Sequence, residues 1–255
     1  HFTITDEFGY TFLFTFKDTT TAISNHQSVE PYDQYFSAWH LTEIRSPNNK
    51  LLCLFDYATL NESSRTPTNY TYNTVIGQPI TNISSVENET IAYLPAVSSS
   101  FSSMSNLVSI IREITVPNKV KILFNTSSRI QNLNHPTVQY SGYKLNDIKI
   151  EDVNENSIKE YLFSIEPFGA SEKIFLTQIE EKHSQNESLF YKFNYLSPQS
   201  LPVFDSKTKD YWGYYNSNES ATLSPYNGAD RNVDINKVKV GVLESIEYPT
   251  WGKKF

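Results

Sequence analysis

The sequence predicts an all-β fold, an antiparallel meander of long β-hairpins, and three observations carry that prediction. A short phrase recurs along the chain: Leu-x-x-Ile or Ile-x-x-Ile, a polar turn, then a strand of alternating apolar residues. It begins at Leu41, Ile111, Leu145, Leu176 and Leu243. The composition is rich in Tyr (17) and Phe (16) and only 19% charged, which suits pleated, half-buried surfaces, and stretches rich in Ala and Leu are scarce. Asn, Ser and Thr are abundant, as many turns require.

Taken in order, Phe2-Thr3-Ile4, a turn at Asp6 to Gly9, and Tyr10, Phe12 and Phe14 open the chain as a hairpin. Leu41 and Ile44 lead through Pro47-Asn48-Asn49 to Leu51, Cys53, Phe55 and Tyr57. Ile111 and Ile114 lead through Pro117-Asn118 to Val120, Ile122 and Phe124, a clean period of two against Lys119 and Lys121. Leu145 and Ile148 lead through Asn154-Glu155-Asn156 to Tyr161, Phe163 and Ile165. Leu176 and Ile179 lead through Gln185-Asn186 to Leu189, Tyr191, Phe193 and Tyr195, and Leu243 and Ile246 lead to Pro249-Thr250-Trp251-Gly252. Neighbouring copies lie about 31 to 34 residues apart, or roughly double that, as in an array with insertions.

The leading phrase holds an ambiguity. Positions i and i+3 share a face of a helix but point to opposite faces of an ideal strand. A single helical turn is one solution. A short strand with both faces partly covered, or with a bulge, is the preferred one, because β-type alternation follows each time. Two stretches interrupt the hairpins, roughly residues 58–105 and 197–240. The first is rich in Ser, Thr and Asn, and its Ser98 to Ser105 segment reads as a loop. The second reads as long ordered loops, since its aromatic residues need something to pack against. Helix is expected only as a short piece around Met104 to Arg112. The whole of 1–255 is expected to be one repeat-hairpin region, a fragment of a longer protein.

Composition also narrows function. A net charge of −7 with no basic stripe argues against a nucleic-acid surface. No apolar run is long enough to span a bilayer as a helix. Cys53 is the only cysteine, so no internal disulfide or thiolate cluster forms, and it reads as a buried small hydrophobe. His1, His26, His40, His135 and His183 are scattered, with no two at metal-ligand spacing, and His183 is placed in a turn. No nucleophile-elbow motif anchors a Ser-His-Asp arrangement.

Three segments resemble a large family of Bacteroidota proteins that carry RHS-like or YD-like repeats. The first is Ala38-Trp39-His40-Leu41-Thr42-Glu43-Ile44 with Ser46-Pro47-Asn48. The second runs from Leu201-Pro202 through Asp205-Ser206-Lys207 to Asp210-Tyr211-Trp212-Gly213-Tyr214-Tyr215-Asn216. The third is Gly228-Ala229-Asp230-Arg231 followed by Gly241-x-Leu243-x-x-Ile246-x-Tyr248-Pro249-Thr250. Asn49 stands where a glycine is common, Trp251 replaces the first glycine of the usual turn, and the insertion after Tyr57 is long. The resemblance implies a secreted or surface-exposed polypeptide of β-hairpins, on the extracellular side of a Gram-negative bacterium, and brings no catalytic residues with it.

Two clusters are candidates for binding. Tyr211, Trp212, Tyr214 and Tyr215 beside Asn216 could stack on sugar rings; the competing reading, that they pin a loop to the sheet, is preferred. Asp230, Asn232 and Asp234 alternate as at the start of a calcium loop, with Asp205 or Asp210 as further ligands, but the glycine and distal Glu of an EF-hand are missing. The competing reading, that these side chains bond to backbone groups and hold a loop, is preferred. No other cofactor is expected. The expected function is therefore a non-catalytic structural scaffold joined to the remainder of a longer polypeptide. The alternative is a module that binds a surface glycan or a partner protein through Tyr211 to Tyr215.

Overall fold

A computed structural model describes residues 1–24, 32–72, 97–135, 138–170, 172–183, 188–203, 206–218, 229–249 and 252–254. The strands are β1 (Phe2–Thr5), β2 (Thr11–Ser24), β3 (Tyr32–Arg45), β4 (Leu51–Tyr72), β5 (Val97–Val116) and β6 (Val120–His135), followed by β7 (Val138–Asp152), β8 (Ser157–Phe168), β9 (Lys173–His183), β10 (Ser188–Tyr195), β11 (Leu243–Tyr248) and β12 (Gly252–Lys254). They form one 12-stranded antiparallel sheet in which neighbours along the chain are neighbours in space. The described residues contain no α-helix, and therefore no helix that could cross a membrane. Two expectations are corrected. Met104 to Arg112 and Ser98 to Ser105 both belong to β5, paired along its length with β4. The stretch 58–105 is thus strand wherever it is described, because antiparallel pairing on β4 outweighs its loop-like composition.

The recurring phrase is a β-bulge. Opposite β2, Glu43 faces Leu13 and Leu41 faces Phe14, so Thr42 is an extra residue without a cross-strand mate. The same slip leaves Arg112 extra opposite β4, Asn146 extra opposite β6, Thr177 extra opposite β8 and Glu244 extra opposite β10. One added residue resets the two-residue alternation, so the first and fourth residues of the phrase come to the same face. The register makes this concrete. Ile44, Ile114, Ile148, Ile179 and Ile246 lie opposite Phe12, Phe55, Phe124, Phe163 and Phe193. The first residue of each phrase lies opposite the residue two positions beyond that Phe: Phe14, Tyr57, Thr126, Ile165 and Tyr195.

Side chains serve the backbone that the bulges disturb. The extra residues Thr42 and Thr177 donate their hydroxyls to the carbonyls of Leu13 (3.0 Å) and Ser164 (3.2 Å) on the opposing strands. Tyr57 and Tyr195 donate to the carbonyls of Leu41 and Leu176, each at 2.8 Å. These bonds meet the requirement that a sheltered peptide group find a partner where the ladder breaks.

The three long hairpins β2–β3, β4–β5 and β6–β7 change neighbours along their length. Near the short turns, β3 pairs with β4 and β5 with β6. Farther out, β2 pairs with β5 over Thr19–Ser24, and β4 pairs with β7 over Ser63–Arg65. Strand order therefore passes from β2-β3-β4-β5-β6-β7 to β3-β2-β5-β4-β7-β6, which requires each ribbon to rotate by half a turn. Two-stranded ribbons twist strongly, and bulges add to the twist. One bulge or more lies in the first half of each ribbon.

Among the described residues the only buried hydrophobic side chain is Ala229. The sheet is a single layer there. Its apolar rows are half-buried by their neighbours in the same face, Cys53 included, so that residue is less enclosed than expected.

Candidate functional site

Between β10 and β11 the chain leaves the sheet for a long excursion. Its neck is closed by backbone bonds from Leu196 N–H to the Val242 carbonyl (2.9 Å) and from Gly241 N–H to the Leu196 carbonyl (2.7 Å). The excursion is thus the enlarged loop of one more hairpin of the series. It leans on the sheet through Leu201. A Cβ placed on Gly169, in the β8–β9 turn, would lie 2.6 Å from Leu201, and one on Gly241 would lie 3.2 Å from it. Ala170 N–H also bonds to the Leu201 carbonyl at 3.0 Å.

Inside the excursion, Lys209 and Tyr215 form an isolated antiparallel bridge around the turn Asp210-Tyr211-Trp212-Gly213-Tyr214. Asp210, 1% exposed, holds this turn. Its Oδ1 accepts the N–H groups of Trp212 and Tyr214, both at 2.9 Å, its own N–H donates to the Tyr214 carbonyl (2.8 Å), and its carbonyl accepts from Gly213 (3.2 Å). Gly213 adopts φ +91°, a left-handed conformation that glycine takes without a Cβ clash. The Arg231 guanidinium caps the Asp210 carbonyl through Nη2 (2.5 Å) and Nε (3.2 Å) and lies 5.1 Å from the centre of the Tyr211 ring.

Asn216, fully buried, ties the turn to the next segment. Its side-chain N–H groups reach the carbonyls of Asp230 (3.0 Å) and Asn232 (3.1 Å), and its Oδ1 accepts from Asn218 N–H (3.2 Å). The aromatic rings go the other way. Tyr211, Trp212 and Tyr214 are 67%, 81% and 58% exposed, and Tyr215 is half-buried. The cluster therefore does not pin a loop to the sheet, because Asp210 and Asn216 already hold the backbone and leave the rings at the tip in solvent.

The same turn occurs in the sheet. Asp6 Oδ1 accepts from Phe8 (3.0 Å) and Tyr10 (2.8 Å), with Gly9 at φ +83°, and Asp152 Oδ1 accepts from Asn154 (2.8 Å) and Asn156 (2.9 Å), with Glu155 at φ +64°. Ser46-Pro47-Asn48-Asn49-Lys50 closes alike, with Asn49 at φ +59°. A left-handed residue is required there, which explains why Asn can stand in place of Gly. The spacing Asp-x-x-Gly followed by an aromatic residue, shared by Asp6 and Asp210, was the sequence signal for this turn.

The acidic triplet is engaged in loop closure. Asp230 Oδ1 accepts from Asn232 N–H and Asp234 Oδ1 from Asn236 N–H, both at 2.9 Å. Among the described residues no three His, Cys, Asp or Glu side chains assemble as a metal-binding group. Asp205 lies outside those residues.

Two further polar clusters were not foreseen. Where the ribbons β2–β3 and β4–β5 exchange neighbours, His40 Nε2 lies 3.0 Å from Asp18 Oδ1, and the same oxygen accepts the Ser109 N–H at 2.7 Å. Burial pulls the Asp18 carboxyl up, but the hydrogen bonds from Ser109 and His40 outweigh it and hold the group below the ordinary carboxylate value. The carboxylate stands between imidazole and serine, whereas a hydrolase triad needs the imidazole in the middle. On β9, Glu181 binds Lys159 (2.6 Å) and His183 (2.9 Å) and accepts from Tyr191 (3.3 Å). Lys159 holds the Glu181 carboxyl low, and Glu181 in turn raises the lysine. His183 closes strand β9 and is not part of a turn, because it continues the ladder opposite Lys159.

Compared with family models, with curated proteins and with solved structures, the chain finds no match in any of the three.

Proposed function

We propose that this chain is a non-catalytic structural scaffold segment of a secreted or cell-surface, RHS/YD-repeat-like bacterial protein, continuous with a longer polypeptide. The observation that carries this reading is the bulge, which adds one residue at the same point of five phrases and brings five Ile–Phe pairs onto one face. A repeated irregularity with a constant packing outcome serves a wall, whereas a catalyst needs one special place. Two measurements test the reading. Antibody raised against this chain should label intact Gram-negative cells that make the parent protein; labelling only after permeabilisation would overturn the surface assignment. A panel of ester, peptide and glycoside substrates should show no turnover. Turnover abolished by His40→Ala or Asp18→Asn would overturn the scaffold reading.

A second reading, a binding module for a surface glycan, is favoured by the exposed rings of Tyr211, Trp212 and Tyr214 on a turn fixed by Asp210. Rigid exposed aromatic rings present a flat apolar surface without further ordering on binding. Retention on immobilised polysaccharide that Trp212→Ala removes would support it, and equal retention of the variant would refute it.

A further inference from the structure

Strands β8 to β11 carry an open groove of about 710 Å³ at the foot of the excursion. That volume lies within the range of small-molecule sites, roughly 300–1,000 Å³. We propose that this groove binds a non-acidic, polyhydroxylated ligand, a segment of neutral or amino-sugar glycan, at a site separate from the Tyr211–Tyr214 tip.

The lining supplies both kinds of contact that such a ligand needs. Tyr195 stands at one wall, its ring held edge-on to Phe175 at 4.7 Å and its hydroxyl bonded to the Leu176 carbonyl, so the ring is fixed before any ligand arrives. Polar groups come from four strands: Glu166 of β8, Gln178 of β9, Lys192 of β10, and Glu244 and Glu247 of β11. Glu247 is oriented by Asn194, whose Nδ2 donates to its Oε1 at 3.1 Å.

The unused hydrogen-bonding capacity sets this region apart. At the other end of the same strands and on the same face, Lys182 sits between Glu160 (4.0 Å) and Glu180 (3.9 Å), and Ser188 bonds to Glu180 (2.8 Å). Those groups satisfy one another. In the groove, Glu166, Gln178, Lys192 and Glu244 have no side-chain partner among the described residues. Carboxylates accept paired hydroxyls, an ammonium donates to hydroxyl or ring oxygens, and an amide does both. Among the described lining side chains, three carboxylates stand against one ammonium, a balance that disfavours phosphate, uronate and nucleic acid. The groove is open to water, which leaves a purely apolar ligand little surface to bury.

The test is a nuclear magnetic resonance titration of the full 255-residue chain. The probes are maltohexaose and cellohexaose (neutral), chitosan hexamer (amino), trigalacturonate (acidic) and spermine (a cation without hydroxyls). At least one neutral or amino oligosaccharide should shift the amides around Glu166, Gln178, Lys192 and Glu247. The double variant Glu166→Gln, Glu244→Gln, at two exposed positions, should weaken that binding about tenfold or more, while Trp212→Ala should leave it unchanged. No shift with any neutral or amino oligosaccharide would overturn the proposal. So would binding of trigalacturonate, or of spermine, more tightly than every non-acidic sugar. Binding lost in Trp212→Ala but kept in the double variant would also overturn it and move recognition to the aromatic tip.

Discussion

The sheet and the excursion between β10 and β11 hold their backbones in opposite ways. In the sheet, cross-strand ladders do the work, apolar side chains are half-covered, and polar side chains repair the places where bulges interrupt pairing. In the excursion the described residues form almost no ladder, one isolated bridge and one short 3-10 turn, and the two most deeply buried side chains are polar, Asp210 and Asn216. The lesson is that the described residues of neither region form a conventional apolar core. The sheet depends on register, and the excursion depends on a few buried side chains that replace missing backbone partners. Losing register harms everything downstream on a strand, whereas losing one buried acceptor harms a single loop.

This contrast can be broken most severely in the sheet. Deleting Thr177 removes the bulge of β9 and turns one side of that strand onto the wrong face, so either Ile179 or Leu176 must leave the apolar row. Loss of cooperative unfolding or gross aggregation is expected in thermal melts, and a near-normal melting curve would refute the role given to the bulge. In the excursion, Asp210→Ala strips the Trp212 and Tyr214 N–H groups of their acceptor and should destabilise the loop by about 1–3 kcal/mol. Hydrogen exchange should then accelerate at residues 208–216 while β6–β9 keep their protection. Gly169→Ala probes the contact between the two regions. Its φ of +69° and the 2.6 Å approach to Leu201 make the methyl group a clash, with an expected loss of about 1–3 kcal/mol in denaturant unfolding. Tyr57→Phe should cost about 1 kcal/mol, the net worth of its bond to Leu41, by the same measurement.

The smallest effect concerns pH. The Asp18 carboxyl has a folded value below its unfolded one, so its contribution is present above the ordinary carboxylate value, about 3.9. It is lost as pH falls from there through the lower folded value. Exchange at the Ser109 amide should rise across that acid window in the wild type, and Asp18→Asn should make it insensitive to pH there.

Much of the sheet was legible because its pattern is local. The turns around Asn49 and Asn118, the strands that flank them and the opening hairpin all follow from period-two alternation and turn chemistry, whereas the Ile–Phe pairs join each Ile to the strand before it and were not legible. Even the bulge was among the solutions for Leu-x-x-Ile. What could not be read was non-local. The strands at 58–72 and 97–105 look like loops because Ser, Thr and Asn carry weak local preference, and only their pairing with each other makes them strands. The meeting of Asp18, His40 and Ser109 depends on the exchange of ribbon neighbours, which no single segment encodes. In the excursion, Asn216 reads from sequence as a candidate binding residue and Asp210 as a further calcium ligand, whereas both hold the backbone that carries the aromatic rings. The Asp-x-x-Gly spacing shared with Asp6 marks Asp210 as the residue that holds the turn, whereas the role of Asn216 rests on the distant carbonyls of Asp230 and Asn232.

The exchange of neighbours has a mechanical consequence. An outer strand of an ordinary meander can fray singly, because only one zipper fastens it. Here β3 secures its ribbon to the next at one end and β2 secures it at the other. Peeling either strand alone leaves the other still attached, so detachment of these ribbons has to proceed as a whole, and a tug on one of them is shared across both of its strands.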